Sequence, residues 1–296
     1  MSSESKPYDY FDAVSRNIGW VTREEQAALR GKRVAIAGLG GVGGVHLLTL
    51  TRMGIGKFSL AEFDSFEVHN FNRQVGAMTS TVGRPKIDVL VEMAKDINPD
   101  LDIRTFPQGV NESNIESFLD DVDVYVDGID YFAFDARRAT YAACARKGIA
   151  ATVAVPVGMG ASAMTFLPGG MSFDDYFGMA GQPELEQAIR FLVGISPAML
   201  QRTYVADPST VNLAQRRGPS TPMACQLCSG IAATEAVKIL LGRGEIIAAP
   251  HGFHFDAYRN KYVKTWRPGG NRNPIQRLML SIIRRQLRTM NPAGNT

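Results

Sequence analysis

The sequence predicts an α/β fold: a doubly wound, mainly parallel sheet with an antiparallel extension and a long crossover segment. Short apolar runs alternate with helical patterns through the first 167 residues, the rhythm of strands that are connected by packed helices. A glycine turn, Gly38-Leu39-Gly40-Gly41-Val42-Gly43, joins the first apolar run to the first strong helical pattern. Past Gly158 the alternation gives way to a long irregular stretch, then one helix and two further strands.

Each element has a local reason. Residues 1–30 read as a helical arm, with Thr22 ahead of Glu24 and Glu25 at a helix start. Arg33–Ala37 is a buried strand leading into the glycine turn, residues 45–53 an apolar helix, and residues 58–61 a second strand. Residues 87–97 form a helix that Asn98-Pro99 ends, because the residue before proline is pushed out of the helical region. Asp102–Phe106 is a third strand, residues 115–119 a short helix, 122–126 a fourth strand, 136–147 a helix and 150–155 a fifth strand. Residues 31–167 thus make a nucleotide-binding domain of Rossmann-like type, ending with a strand at 161–166. Residues 168–222 are expected to be a polar crossover or lid with one amphipathic helix near 184–193. Residues 223–270 complete the sheet with a helix at 229–241, a strand at 253–258 and a hairpin partner at Lys261–Trp266. Residues 271–296 are a basic amphipathic tail.

A chain of 296 residues, 45% hydrophobic and 21% charged, can bury a full core and has the composition of a soluble globular enzyme. The net charge of +3 conceals an asymmetry: residues 257–296 hold nine Lys or Arg and no acid, so the rest of the chain is net acidic. Cys144, Cys225 and Cys228 are too few for a disulfide framework and fit a reducing compartment. The first ten residues are polar and lack an apolar signal core, so a cytoplasmic location is expected.

The chemistry rests on three islands in fixed order. In the glycine turn Gly38 permits a sharp bend, Gly40 and Gly41 let a phosphate approach the backbone, and Gly43 packs the helix on its strand. Alone, such a turn serves ATP, NAD or FAD equally. Glu62 and Asp64 follow at the distance where an acid meets ribose hydroxyls. The second island, Asn70, Asn72, Arg73 and Gln74 with Lys86 beyond, adds a planar cationic fork and a movable point charge, more than a hydride carrier needs and suited to a triphosphate. The third, Asp127 and Asp130, ends an apolar strand where a carboxylate can hold Mg²⁺ against phosphates. Together they describe a site that holds ATP and activates a carboxylate.

These islands resemble the ThiF/MoeB/HesA family of the ubiquitin-activating-enzyme-like superfamily over about residues 10–167 and 223–260. Arg16 in Ser-Arg-Asn, Gly83-Arg84-Pro85-Lys86, Ile97-Asn98-Pro99 and Glu235-Ala236-x-Lys238 carry the likeness further. The resemblance implies an adenylyltransferase: Mg·ATP-dependent adenylation of a carboxylate, with pyrophosphate released. Glu62 and Asp64 would then hold the ribose side, Asn70, Arg73, Gln74 and Lys86 the phosphates, and Asp130 the magnesium. Arg16 would reach an ATP across a homodimer interface. The implied acceptor is the C-terminal carboxylate of a small ubiquitin-like or sulfur-carrier protein. An RNA-linked or small-molecule carboxylate, as in tRNA threonylcarbamoyladenosine dehydratases, is the rival, and a non-catalytic nucleotide-binding adaptor a third reading.

The chain departs from the family pattern in ways that bear on this. Glu62 stands where relatives usually carry Asp, and Tyr131 where Asn is frequent. Residues 168–222 contain no cysteine, although relatives that pass the acyl group to sulfur often keep a nucleophile there. Many relatives bind zinc with two CxxC pairs; the single pair Cys225/Cys228 makes a structural zinc unlikely, and His251 and His254 have poor spacing to complete one. Placed just ahead of a helix at Ser229, Cys225 or Cys228 would serve as nucleophile or redox pair, or simply be buried. His46 and His69 show no partner, and Cys144 reads as core. In the tail, Ile275, Leu278, Met279, Ile282, Ile283 and Leu287 are expected on one face and Arg277, Arg284, Arg285 and Arg288 on the other. That pattern suits RNA, an anionic membrane, an acidic partner, or a helix docked on its own domain.

Overall fold

The computed structural model describes residues 7–213, 215–216 and 218–290, with backbone only at 288–290; the outer ends of the arm and tail (1–6 and 291–296) and the Arg288 side chain lie outside the described residues. Eight strands form one sheet in the order β3-β2-β1-β4-β5-β6-β7-β8. Strands β1 (Arg33–Ala37), β2 (Lys57–Ala61), β3 (Asp102–Phe106), β4 (Val124–Asp127) and β5 (Ala150–Val157) run parallel. Strands β6 (Gly160–Phe166), β7 (His251–Asp256) and β8 (Lys261–Trp266) extend the sheet antiparallel. The order reverses at β1, which pairs with β2 on one side and β4 on the other. In a doubly wound sheet the crevice for ligand opens at that switch point, beyond the carboxyl ends of the strands. All five residues of β1 are buried, as a strand covered on both faces requires.

The arm comprises α1 (Tyr10–Ala13) and α2 (Arg23–Gly31). Thr22 and Glu25 close a reciprocal capping box on α2. The Tyr10 hydroxyl donates to the Gly54 carbonyl at 2.7 Å and ties the arm to the first crossover. That crossover is α3 (Gly43–Arg52); α4 (Lys86–Ile97), the short α5 (Ile115–Phe118) and α6 (Phe134–Lys147) make the others.

Residues 168–222 are less polar and more ordered than expected. They form α7 (Phe173–Phe177) and α8 (Glu184–Ile195), and Phe173, Tyr176, Phe177, Met179 and Phe191 join the core on the β5/β6 side. The composition of the segment conceals this because its aromatics are clustered on one short helix among Gly and Asp. The following helix, α9 (Pro222–Leu241), begins seven residues before the expected Ser229. Pro222 sits in its first turn, where a missing N–H costs nothing, so the proline starts this helix. By length and composition α9 could cross a membrane, but here Cys228, Ala232, Ala233 and Ala236 pack into the core.

The last helix, α10 (Pro274–Met290), is docked on its own domain. Leu280 and Ile283 are buried against Ile189, Val193 and Met199, and Gln276 Nε2 donates to the Val193 carbonyl at 2.9 Å. Ile275, Leu278 and Ile282, expected on the same face, are exposed. The hidden stripe is therefore Gln276-Leu280-Ile283-Leu287, one polar residue of which is satisfied by backbone, and a second apolar stripe faces outward.

Candidate functional site

A cavity of about 820 Å³ opens at the switch point, lined by the glycine turn, the ends of β2 and β4, and the segment 199–220. Gly38 has φ +79°, and a Cβ there would lie 2.2 Å from the Gly128 carbonyl oxygen, so the turn nests against the loop after β4. A Cβ on Gly43 would meet the Gly38 carbonyl at 1.8 Å: this residue packs the turn and does not line the cavity. Gly40, by contrast, has only Gln74 Nε2 near its missing Cβ, at 3.7 Å. Its backbone is bare toward the cavity, as close approach of a phosphate requires.

Glu62 is buried and braces this turn. One carboxylate oxygen accepts from Leu39 N–H at 2.7 Å, and the other from Phe63 and Asp64 N–H at 2.8 and 2.9 Å. A carboxylate has about four lone-pair sites, so one remains open. Lys86, buried at the start of α4, donates to Asp64 at 3.1 Å across the same wall. Arg73 is held by the His69 carbonyl at 3.2 Å and by Asn72 Oδ1 at 2.9 Å. Asn72 in turn donates to the Ser220 carbonyl at 3.0 Å, tying this loop to the crossover. Gln74 is 7% exposed and lines the cavity with its Nε2 turned toward Gly40, while its Oε1 is buried without a partner within the chain.

Asn70 does not line the cavity; its Oδ1 accepts from Glu67 N–H at 3.0 Å and shapes the loop that presents Arg73. Arg16 is exposed on the turn Ser15–Asn17, outside the cavity. Asp127 is not available to a metal. It is fully buried and accepts from Arg137 Nε at 2.8 Å, Ile129 N–H at 2.9 Å and the Tyr125 and Tyr141 hydroxyls at 3.4 and 3.2 Å. Of these two aspartates only Asp130 presents an exposed carboxylate on the cavity wall, where among the described residues it accepts from Phe132 N–H at 3.0 Å. Among the described residues no three His, Cys, Asp or Glu converge. A nucleotide-borne Mg²⁺ needs just one or two carboxylates besides phosphate, and Asp130 fits that requirement.

The cysteines follow the buried alternative, though the helix takes them in instead of following them. Both lie inside α9, and burial pushes both thiols up, Cys228 well above the usual range, instead of a helix terminus drawing them down. Cys225 does line the cavity, against Gly41, while Cys228 is core. Burial also pushes the Cys144 thiol up to about 12. His46, on α3, is fully buried with neither ring nitrogen paired, and burial lowers its pKa to about 3. Sequence reasoning missed Arg137 and Tyr131 as architects of the site. Tyr131 donates to the Ala188 carbonyl at 2.8 Å, which binds the Asp130 loop to α8.

The ThiF family profile matches residues 14–277. The chain belongs to the ThiF family. It is 34% identical over 121 residues to the tRNA threonylcarbamoyladenosine dehydratase of Bacillus subtilis (strain 168), covering 40% of this chain and 48% of that protein. With the ubiquitin-like modifier-activating enzyme 5 of Bombyx mori it shares 35% over 158 residues, 49% of this chain and 39% of the relative. The SAMP-activating enzyme E1 of Haloferax volcanii matches more fully, at 27% over 240 residues, 80% of this chain and 78% of the relative. The chain thus spans about half or less of the first two relatives. Among solved structures, PaaA superposes with a TM-score of 0.66 at 20% identity, over 90% of this chain and 86% of that one. E. coli MccB with MccA-N7isoASN gives 0.67 at 17% identity, over 91% and 75%. The likeness to these structures is one of ThiF-family fold.

Proposed function

We propose that this chain is a Mg·ATP-dependent adenylyltransferase that activates a carboxylate, in the first instance the C-terminal carboxylate of a small ubiquitin-like or sulfur-carrier protein. The observation that carries the reading is convergence: bare glycine backbone, Arg73, Gln74, Lys86, Glu62, Asp64 and Asp130 all line one cavity. The names of the modifier-activating and SAMP-activating relatives support a protein acceptor. The dehydratase relative supports an RNA-linked carboxylate as a second reading.

In the reaction a carboxylate oxygen attacks the α-phosphorus of ATP, the α–β phosphoanhydride bond breaks, and pyrophosphate leaves with the bonding electrons. Negative charge moves onto the leaving group. Arg73 and Lys86 are fixed by neighbours before substrate arrives, so they stabilise that charge without reorganising. Glu62 holds the Gly38–Gly40 turn open for the phosphates and meets the ribose. Asp130 would hold magnesium, which would supply positive charge against the phosphates. A second copy of the chain would bring Arg16, exposed on its turn, to the site as an arginine finger, whose removal costs ~10³–10⁵ in rate in related phosphoryl transfer.

Nucleotide analysis tests the proposal. Reaction with acceptor should give pyrophosphate and an acyl-adenylate, which releases AMP only when water or another nucleophile takes the acyl group, and Arg73→Ala and Asp130→Ala should abolish it while the thermal melt stays that of a folded protein. Hydrolysis to ADP and phosphate, or two fully active variants, would refute it.

A further inference from the structure

The cavity does not end at the nucleotide wall. Beyond Asp130 its lining continues along α8, the segment 199–213 and α10, where Leu192, Met199, Leu213, Ile283 and Leu287 belong to a single apolar cluster. Val205 and Val211 add to the same wall. The guanidinium groups near it are already engaged within the chain: Arg216 pairs with Glu184 at 2.6 Å and Arg202 donates to Gln286 at 3.1 Å. So this lobe offers an apolar floor rather than a field for an acidic group. It is built partly from α10, whose Ile283 and Leu287 line the cavity while the same stripe packs on α8. A tail without side chains would leave that floor wet, whereas one large apolar side chain would cover it.

We infer that the acceptor is a polypeptide C-terminus carrying a large apolar side chain at or next to its last residue, seated on the Leu192/Met199/Leu213/Ile283/Leu287 floor while the terminal carboxylate reaches the nucleotide beside Asp130. The inference rests on the adenylation reading but replaces its first acceptor, because a glycine-ended carrier tail would leave this floor uncovered. The α8 helix that supplies part of the floor also bonds to Tyr131, next to Asp130, so an occupied lobe and the metal-side loop share one support. Selection and chemistry are neighbours in the fold.

The experiment is ATP–pyrophosphate exchange by the full chain with synthetic hexapeptides that differ only in their last residue: Gly, Ala, Leu or Phe. Leu- and Phe-ending peptides should support exchange with KM at least tenfold below that of the Gly-ending peptide. Leu287→Glu and the milder Val211→Ser should raise KM for the Leu peptide at least tenfold, narrowing the gap to Gly, with ATP affinity by calorimetry held constant. Thermal melts of both variants show that the domain is folded. Exchange with equal KM for Gly and Leu peptides overturns the inference and leaves adenylation standing, as does exchange that only glycine-ended carrier tails, an RNA or a non-peptide acid supports. Absence of ATP binding by the wild-type chain would instead bring down the adenylation reading itself.

Discussion

Arg137 and Asp127 form a fully buried ion pair at 2.8 Å, and the same guanidinium donates to the carbonyls of Ile129 and Tyr131, the residues on either side of Asp130. It also lies 4.7 Å from the centre of the Phe191 ring on α8. One buried cation therefore fixes the loop that presents the Asp130 carboxylate. Removing one member of a buried pair strands the other charge, which costs about 3–5 kcal/mol. Arg137→Met should lower stability by that order in denaturant titration. Arg137→Lys, which keeps the charge but loses the fork, should fold and raise the Mg²⁺ concentration needed for half-maximal turnover. An unchanged Mg²⁺ dependence would mean that the clamp does not govern Asp130.

Lys86 and Asp64 face each other across the nucleotide wall with unequal burial, 6% and 53% of their side chains exposed. The lysine is committed to the interior and the aspartate is not. Loss of a preorganised group that meets developing charge costs ~10²–10³ in rate. Lys86→Met should lose kcat by that order with little change in melting temperature, while Asp64→Asn should act mainly on ATP affinity. Single-turnover kinetics and calorimetry separate the two.

The glycine turn is a steric requirement. Gly41→Ala would put a methyl 3.2 Å from Cys225 Sγ and 3.4 Å from Arg73 Cγ. Neighbouring side chains can move, so the variant should fold but bind ATP at least tenfold more weakly as Arg73 is displaced. Gly38→Ala meets backbone at 2.2 Å with φ +79° and should fail to reach the native melting temperature by several degrees.

Acid should weaken the fold through two buried histidines. Burial depresses the pKa of His46 to about 3 and that of His254 to about 4, from an ordinary 6.5. The unfolded chain then binds protons that the folded chain does not, so stability is full above about pH 6.5 and falls as pH drops toward 4 and 3. Each such group contributes at most about 1.4 kcal/mol per pH unit. His46→Leu removes two unpaired buried nitrogens, and should flatten the acid limb without destabilising the protein at pH 8. Urea titrations between pH 4.5 and 8 measure both effects.

The parallel half of the sheet was legible because its signals are local. Period, β-branched runs and Asn98-Pro99 placed β1 and β3 at their observed bounds, and the glycine turn located the switch point. The convergence of the candidate residues was legible too: Gly38, Gly40, Gly41, Glu62, Asp64, Arg73, Gln74, Lys86 and Asp130 all line one cavity. What failed was long-range. Nothing local says that Asp127 is neutralised by a side chain ten residues on, or that the outward-looking Ile275 and Leu278 are not the stripe that docks. The start of α9 was read from hydropathy at Ser229, although Pro222 after Thr221 is the stronger helix signal. That shift moved Cys225 and Cys228 from a terminus, where a thiol is activated, into packing, where it is not.

The central claim is that this cavity adenylates a carboxylate. ATP–pyrophosphate exchange with Mg²⁺ and an acceptor terminus tests it most directly, comparing the wild-type chain with Asp130→Ala and Arg73→Ala. The account predicts exchange that requires both acceptor and Mg²⁺ and falls to background in both folded variants. Exchange at wild-type rate in those variants, or bound ATP with no exchange for any protein, RNA or small-molecule carboxylate, would contradict it.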